Sequence, residues 1–361
     1  MEVQAAFLLP DATGLTHEQA MRAALEYAAH GARGATPLVG AVLLPRGSSP
    51  IVGFHAGAGT AHAEAAALDF AQANGVATAG ATIVVTLEPC SHTGRTGPCT
   101  QRIIDAGITH TVIATADPNP AARGGAEVLR AAGIAVTTGV LDAEAAALNA
   151  RWLQAVREGR PFITCKIAQS LDGCSAAADG TSQWITGEEA RSHAHGIRAR
   201  VDAIAVGTGT AIADNPRLNA RPETFSVTSQ PIPVVIGQRP LPPESHLAQN
   251  PRTITAETIE QALAKLKAAG AEHLLVEGGP RLVSSFIGRG LADELLVYQA
   301  PVLLGDGLRS TAGLNVTTLR EAHSFTLDAG SAAHPNPQIL GADVLLRLAP
   351  DEKGHHVHRN H

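Results

Sequence analysis

Along the first 150 positions the apolar residues follow two rhythms in turn, one helical and one of short unbroken runs. HEQAMRAALEYAAHG, from His17, has the helical spacing, and HAEAAALDFAQANG, from His62, repeats it until Gly75 stops it. VGAVLLP from Val39 and IVGFH from Ile51 predict a strand pair around a Gly-Ser-Ser turn. Strand TIVVTL (from Thr82), helix CTQRIIDAG (from Cys99) and strand TVIATA (from Thr111) continue the alternation. Helix AEVLRAAG (from Ala126) and strand IAVTTGV (from Ile134) extend it further. Helices alternating with apolar strands imply an α/β domain with a covered, mostly buried sheet.

DAEAAALNARWLQAVREGRP, from Asp142, reads as one long helix ending at Gly159, with the domain join within or just after it. A second α/β series then begins with strand FITCKIAQ (from Phe162) and helix EEARSHAHGIRAR (from Glu188). Strands AIAVG (from Ala203) and PVVIG (from Pro233), helix TIEQALAKLKAAG (from Thr258) and strand HLLVEGG (from His273) follow. ADELLVYQAPVLLG (from Ala292) and ADVLLRL (from Ala342) read as strands, and VGTGTAIAD (Val206–Asp214) as a strand end and its following loop. The Pro-rich stretch Pro231–Pro251 reads as a surface crossing. The expected domains are therefore 1–150 and 151–349, with 350–361 a polar, frayed tail. Its four histidines read as a solvated tail rather than a metal site.

A length of 361 residues agrees with about two domains, and 45% hydrophobic residues exclude bulk disorder. Seven Phe, two Trp and two Tyr are too few for an aromatic platform on which single-stranded nucleic acid stacks. A net charge of −6 without a compensating Lys/Arg block argues against phosphate-backbone binding. No run approaches the ~20 apolar residues that span a bilayer, and MEVQAAFLLPDATG lacks the basic start and apolar core of a signal peptide. The chain reads as soluble and cytoplasmic. Its four cysteines, Cys90, Cys99, Cys165 and Cys174, suit metal ligands or core thiols better than disulfides.

The sharpest chemical signal is HAE at His62–Glu64 followed by PCSHTGRTGPC at Pro89–Cys99. One imidazole (His62) and two thiolates (Cys90, Cys99) give three tetrahedral zinc ligands and leave a fourth position for water, the pattern of a catalytic Zn2+ site. The metal lowers the water's pKa from about 16 toward 7. Glu64, two residues from His62, is placed to shuttle a proton without binding metal. Cys99 opens a helix, whose N-terminus favours a thiolate, and Cys90 falls near the end of the strand from Thr82. The alternative makes His62 and Cys90 ordinary core residues, but three ligands, an acid and an intervening strand all stand in order. This is the zinc-deaminase signature, with eight residues between the cysteines instead of the tight Cys-x-x-Cys form.

In the second half a Rossmann reading fails: Gly207 and Gly209 are followed by Ala211 and Ile212 where a third glycine belongs. Three features remain. KIAQSLDG puts Lys166 and an acid beside a strand; Arg198, Asp214 and Arg221 surround the next strand; and VEGGPRLVSSF sets Gly278 and Gly279 before a helix, where exposed amides suit a phosphate.

PCSHTGRTGPC, preceded by TLE and followed by DPNP at Asp117–Pro120, resembles the bifunctional riboflavin-biosynthesis deaminase–reductase family. RPFITCKIAQSLDG, SQWITG, the Arg198–Arg221 block, EGGP, Asp293–Glu294 and Pro301–Gly305 carry the resemblance through nearly the whole chain. It implies a cytidine-deaminase-like α/β/α domain and a dihydrofolate-reductase-like α/β domain. The implied activities are hydrolytic removal of the 2-amino group of a diaminopyrimidinone ribosylamine 5′-phosphate, then reduction of its ribose to ribityl with NADPH. Ala168, Trp184, Thr210, Asp214 and the segment Gly279, Pro280, Arg281, Leu282, Val283, Ser284 and Ser285 match cofactor positions. Ser182, Arg198, Leu218, Arg221 and Glu277 match substrate positions, with Arg198 and Arg221 the natural phosphate clamps. Lys166 and Asp214 are candidates for ordering the ribose and delivering a proton. His92, Arg95 and Thr96 could hold a substrate phosphate or only shape their loop. Trp184 as core and Arg198 as a solvated helix residue are the structural alternatives.

Four positions depart from the family pattern: Thr36 stands for a usual Asn, Gly97 for a Pro, and Gly237-Gln238 for Asp-Ser. The Gly237-Gln238 departure admits a second reading, a deaminase with a catalytically weak reductase half; a non-catalytic zinc protein is a third. The expected partner is a small phosphorylated pyrimidine, with no nucleic acid or membrane, and a homo-oligomer is compatible with the sequence.

Overall fold

The computed structural model describes residues 5–9, 14–31, 34–91, 97–119, 122–222, 229–328 and 335–351. The described residues up to Glu158 form one compact unit and those from Gly159 a second. The first comprises β1 (Ala6–Leu8), α1 (His17–Ala28), β2 (Gly40–Leu44), β3 (Ile51–Phe54), α2 (Ala63–Ala73), β4 (Thr82–Leu87) and α3 (Cys99–Asp105). It continues with β5 (His110–Thr115), α4 (Gly125–Ala131), β6 (Ala135–Thr138), α5 (Asp142–Leu148) and α6 (Ala150–Glu158). The sheet runs β1-β3-β2-β4-β5-β6, antiparallel as far as β4 and parallel from β4 to β6.

Successive residues of a strand face opposite sides, so strands apolar on both faces need helices on both. Ile83 and Val85 of β4 pack toward α2 and α3, while Val84 packs toward α1 and α5. Each such fully buried side chain contributes about 1.5–3 kcal/mol. A reciprocal cap fixes the start of α1: Thr16 Oγ1 accepts from the Gln19 amide and Gln19 Oε1 from the Thr16 amide.

The long helix expected from Asp142 is two helices, because Asn149 is taken out of the run. Its buried side chain accepts from the Leu38 N–H and donates to the Leu38 C=O, both at 2.8 Å. Trp152 and Leu153 of α6 lie in the first unit's core, so the division falls after α6 rather than at 150.

The second unit holds β7 (Phe162–Ser170), β8 (Cys174–Ala176), α7 (Glu188–Arg198), β9 (Ala203–Gly207), α8 (Thr208–Asp214), β10 (Ile232–Ile236), α9 (His246–Gln249), β11 (Ile254–Ala256) and α10 (Ile259–Ala268). β12 (His273–Val276), α11 (Pro280–Gly288), β13 (Glu294–Ala300), β14 (Leu308–Arg309), β15 (Phe325–Leu327), β16 (Gln338–Leu340) and β17 (Asp343–Pro350) complete it. Its main sheet runs β11-β10-β9-β12-β7-β13-β17-β15, parallel from β11 to β13. β17 joins antiparallel.

Ile163, Cys165 and Ile167 of β7 face the core under α10 and α11, and the intervening Lys166 and Ala168 face the other side. One expectation needs correction: VGTGTAIAD becomes helix α8 after Gly207, because Ala211 has apolar partners in Ile204 and Val206. The strand expected at PVVIG is β10, second from one edge of the sheet with Val234 and Val235 buried, at the start of the Pro-rich stretch. The frayed tail expected at 350–361 lies outside the described residues from 352 onward. No helix among the described residues is long and apolar enough to cross a membrane.

Candidate functional site

His62 is the N-cap of α2, with extended backbone and no capping bond from its side chain. The imidazole is thereby free to turn toward the cysteines. Its Nδ1 lies 3.7 Å from Cys90 Sγ and 3.3 Å from Cys99 Sγ. The three donor atoms fall within 4.8 Å of one another, so the donor set and its spacing fit a tetrahedral zinc. Cys90 lies in the loop after β4, and Cys99 is the first residue of α3, as the sequence suggests. The Cys99 N–H donates to Cys90 Sγ at 3.4 Å. Hydrogen bonds from the Cys99 thiol and His62 pull the Cys90 thiol down to about 4, against its burial. Glu64, in the first turn of α2, is 3% exposed, and burial raises its carboxyl above the usual range.

Two further groups near this centre were not singled out in the sequence. His55, just after β3, is buried with its ring 5.5 Å from that of His62. Its Nδ1 donates to the Ala61 carbonyl at 2.9 Å, and its buried Nε2 has no partner among the described residues. Glu88, the acid of TLE, accepts from the amides of Asp117, Gly124 and Ala126, so it ties the cysteine loop to the DPNP segment and α4. A buried acid beside a ligand motif was the available signal. Thr36 is half-buried, in a segment held by Trp152 Nε1, which donates to Ala35 O, and by Asn149 on Leu38. His92, Arg95 and Thr96 lie outside the described residues.

In the second unit a charged cluster forms where β7, β12 and α7 meet. Arg198 Nε and Nη2 donate to Glu277 Oε1 and Oε2 at 2.8 and 2.7 Å, and Arg198 Nη1 donates to Asn219 O at 3.3 Å. Lys166 Nζ stands 4.0 Å from the same carboxylate and 5.6 Å from the centre of the Tyr298 ring. Burial alone would raise the Glu277 carboxyl, but Arg198 and Lys166 bring it down to about 2. Burial lowers the Lys166 ammonium.

Arg198 is thus neither solvated nor a free clamp: its guanidinium is committed to Glu277. Arg221 is exposed, and its backbone N–H donates to His195 Nδ1 at 3.3 Å. Leu218, buried with φ +49°, turns the chain toward it at a cost on the order of 1 kcal/mol. Ser182 is exposed, and Trp184 is not core: it is 69% exposed, with the Arg191 guanidinium stacked 4.7 Å from its ring centre.

A cavity of about 500 Å³ opens at the carboxyl ends of β9 and β10, the place where open parallel sheets bind ligands. Gly207 with the first turn of α8 (Thr208, Gly209, Thr210) and the start of α11 form its walls. Thr210 Oγ1 accepts from the Gly279 N–H at 3.0 Å and so joins the two walls. Gly279, Pro280, Arg281, Leu282 and Ser285 line the cavity. Val283 and Ser284 do not: the helical period turns both into the fold, where they are 1% and 2% exposed. Asp214 ends α8 and is exposed, while Ala168 shares the Lys166 face of β7. Glycine walls, hydroxyls and two guanidinium groups fit a phosphorylated dinucleotide.

Residues 15–115 match the cytidine and deoxycytidylate deaminase zinc-binding region, and residues 161–333 match the RibD C-terminal domain. The riboflavin biosynthesis protein RibD of Corynebacterium ammoniagenes is 48% identical over 329 residues, covering 88% of this chain and 95% of that protein. The RibD of Mycobacterium tuberculosis is 42% identical, covering 92% and 96%. Among solved structures, Acinetobacter baumannii RibD superposes with a TM-score of 0.70 at 33% identity, covering 93% of this chain and 99% of that one. A Thermotoga maritima diaminohydroxyphosphoribosylaminopyrimidine deaminase/5-amino-6-(5-phosphoribosylamino)uracil reductase gives 0.67 at 31% identity, with the same shares covered. The chain belongs to the RibD family, the bifunctional zinc-dependent deaminases and NADPH-dependent reductases of riboflavin biosynthesis.

Proposed function

We propose that His62 Nδ1, Cys90 Sγ and Cys99 Sγ hold the zinc and that Glu64 is the proton shuttle of the deaminase half. The convergence of three donors within 4.8 Å, beside a buried carboxylate, carries this reading. Zinc, when bound, activates water as a nucleophile at neutral pH. A Glu64 carboxylate oxygen takes one proton from the attacking water and gives it to the ring nitrogen, then takes the second from the hydroxyl that has added to the ring carbon and gives it to the departing amine. Water and the amino-pyrimidine become the oxo-pyrimidine and ammonia, and Glu64 ends in the state in which it began.

In the reductase half, Lys166, Arg198 and Glu277 orient the ribosyl group, and Arg221 takes the 5′-phosphate, with Ser182 and Leu218 completing the substrate wall. Arg198 holds the Glu277 carboxylate in one rotamer by its bidentate contact. Lys166, its ammonium destabilised by burial and 4.0 Å from that carboxylate, is the proton donor. Ala168, Trp184, Thr210, Asp214 and, at the start of α11, Gly279, Pro280, Arg281, Leu282 and Ser285 hold NADPH, which supplies a hydride when bound, while Val283 and Ser284 anchor that helix in the fold. The site acts on a small phosphorylated pyrimidine, in the cytoplasm and without a nucleic-acid partner, and a homo-oligomer remains compatible with this reading.

One coupled assay tests both halves: bound zinc per chain, ammonia release from the diaminopyrimidinone, and NADPH oxidation on the deaminated product. One zinc and both activities are expected; ammonia release without NADPH oxidation would leave only the first half standing.

A further inference from the structure

Arg221 stands in a stretch, residues 215–222, that belongs to no helix or strand. Asn215 (φ +40°) and Leu218 (φ +49°) are both in the left-handed region there, so local backbone preference does not hold the chain in place. Side chains do so instead, on three consecutive residues. Arg198 Nη1 donates to Asn219 O at 3.3 Å. Gln230 Oε1 accepts from the Ala220 N–H at 2.8 Å, while Gln230 Nε2 donates to Ala220 O at 3.0 Å. His195 Nδ1 accepts from the Arg221 N–H at 3.3 Å.

These tethers start from regular elements. His195 and Arg198, three positions apart, share one face of α7. Gln230 stands two residues before β10, and its own carbonyl accepts from Arg252 Nη2 at 3.0 Å. A backbone N–H only donates and a carbonyl only accepts, so the Gln230 amide has a single orientation that serves both. By the same rule His195 Nδ1 carries no proton, and the neutral ring keeps its proton on Nε2. Burial and the cations Arg198, Arg221 and Lys166 hold this imidazole below its ordinary value, against Glu277, so Nδ1 stays an acceptor.

Ordering an exposed glutamine costs about as much as two solvent-accessible hydrogen bonds return. Gln230 is exposed, so its clasp adds little to the stability of the fold. Its effect is on position. The Arg221 side chain is exposed and has no carboxylate partner among the described residues, whereas Arg198 is committed to Glu277. A long, free guanidinium binds an anion with less loss of freedom when the backbone beneath it is already fixed. The first unit uses the same device, where the Asn149 amide clasps Leu38 two residues from Thr36.

We infer that Gln230 and His195 are positioning residues of the reductase half, which hold the chain at Ala220 and Arg221 so that the Arg221 guanidinium meets the substrate's 5′-phosphate. The inference rests on the reading of Arg221 as the phosphate clamp.

NADPH oxidation by the full zinc-loaded chain tests this on two substrates, the deaminated 5′-phosphate and its dephosphorylated form. Q230A is expected to raise KM for the phosphate about fivefold or more and to change kcat less than threefold, with the thermal midpoint unchanged. On the dephosphorylated form kcat/KM should stay within twofold. Q230E keeps the acceptor for the Ala220 N–H and loses the donor, so it should fall between Q230A and the parent chain. H195A should act like Q230A, and H195N, whose amide oxygen can stand in for Nδ1, should recover part of the loss. In an R221A background, Q230A should add less than twofold. An unchanged KM in Q230A, an equal loss on both substrates, or a full Q230A effect on top of R221A would each overturn the inference. If the parent chain uses both substrates equally well, or R221A leaves KM unchanged, the reading of Arg221 as the clamp fails and the inference falls with it.

Discussion

A single residue separates His62 from Glu64, and the different duties proposed for them follow from the helix beginning between them. His62 keeps the extended backbone of an N-cap, and Glu64 is already in the first turn. Replacing Glu64 by Gln preserves volume and burial but removes the group that can cycle a proton. Ammonia release should fall about 10²–10⁴-fold, with zinc content unchanged by metal analysis and NADPH oxidation on deaminated substrate intact. Zinc loss would make Glu64 a ligand instead. Arg221 and Arg198 should separate in the same spirit. Arg221→Ala should cost on the order of 1.5–3 kcal/mol in kcat/KM for the phosphorylated substrate, with little change in melting. Arg198→Ala should lower stability as well, by about 3 kcal/mol, because it removes the bidentate partner of a Glu277 side chain that is 6% exposed and leaves it only Lys166 at 4.0 Å. A melting curve beside each rate decides between the two roles. The zinc centre was legible because its donors sit in two short motifs. The Arg198–Glu277 pair was not, because its partners are 79 positions apart and only the sheet brings them together.

Elements were legible where an apolar face ran for a full helix or strand, and less so where a single polar contact redirects the chain. The run from Asp142 has unbroken helical spacing, so nothing local announces that Asn149 leaves the helix. What takes it out is Leu38, whose N–H and C=O would otherwise be buried without partners. The same contact anchors the segment that carries Thr36. Asn149→Ala should therefore destabilise the first unit by about 1–3 kcal/mol, the usual cost of an unmatched buried polar group, and raise KM for deamination more than it lowers kcat. Asn149→Asp keeps the acceptor for Leu38 N–H but loses the donor, and should recover part of the loss. Calorimetry and ammonia kinetics on the two variants check both statements. α8 escaped the sequence reading for a different reason: its glycine and two threonines are poor helix formers, and packing of Ala211 overrides that preference.

At the scale of the whole molecule, the acid sensitivity of the second unit should come from groups placed at opposite ends of its strands. His273 at the start of β12 is buried, and burial holds its imidazole down to about 4. The Thr164 hydroxyl donates to Glu294 Oε2 at 2.8 Å, so its contact of 2.9 Å with His273 Nε2 needs a proton on that nitrogen, which fixes the neutral tautomer. Between pH 6.5 and 4 the unfolded chain takes up a proton that the native His273 refuses. The full stabilisation is thus present above pH 6.5 and is lost as the pH falls to 4, by about 3 kcal/mol at 1.36 kcal/mol per pH unit. Glu277 acts lower: its carboxyl, held at about 2 against an ordinary 4.5, stabilises fully above pH 4.5 and loses that contribution as the pH falls toward 2. A two-stage decline follows, the first stage belonging to a histidine far along the strand from the charged cluster. Hydrogen-exchange protection of β7 and β12, corrected for intrinsic exchange and followed from pH 7 to 4, should weaken through the first window. His273→Gln, which keeps a donor for Thr164 but cannot titrate, should flatten that slope and leave the decline below pH 4.5 in place. An unchanged slope in this variant would assign the first stage to another group.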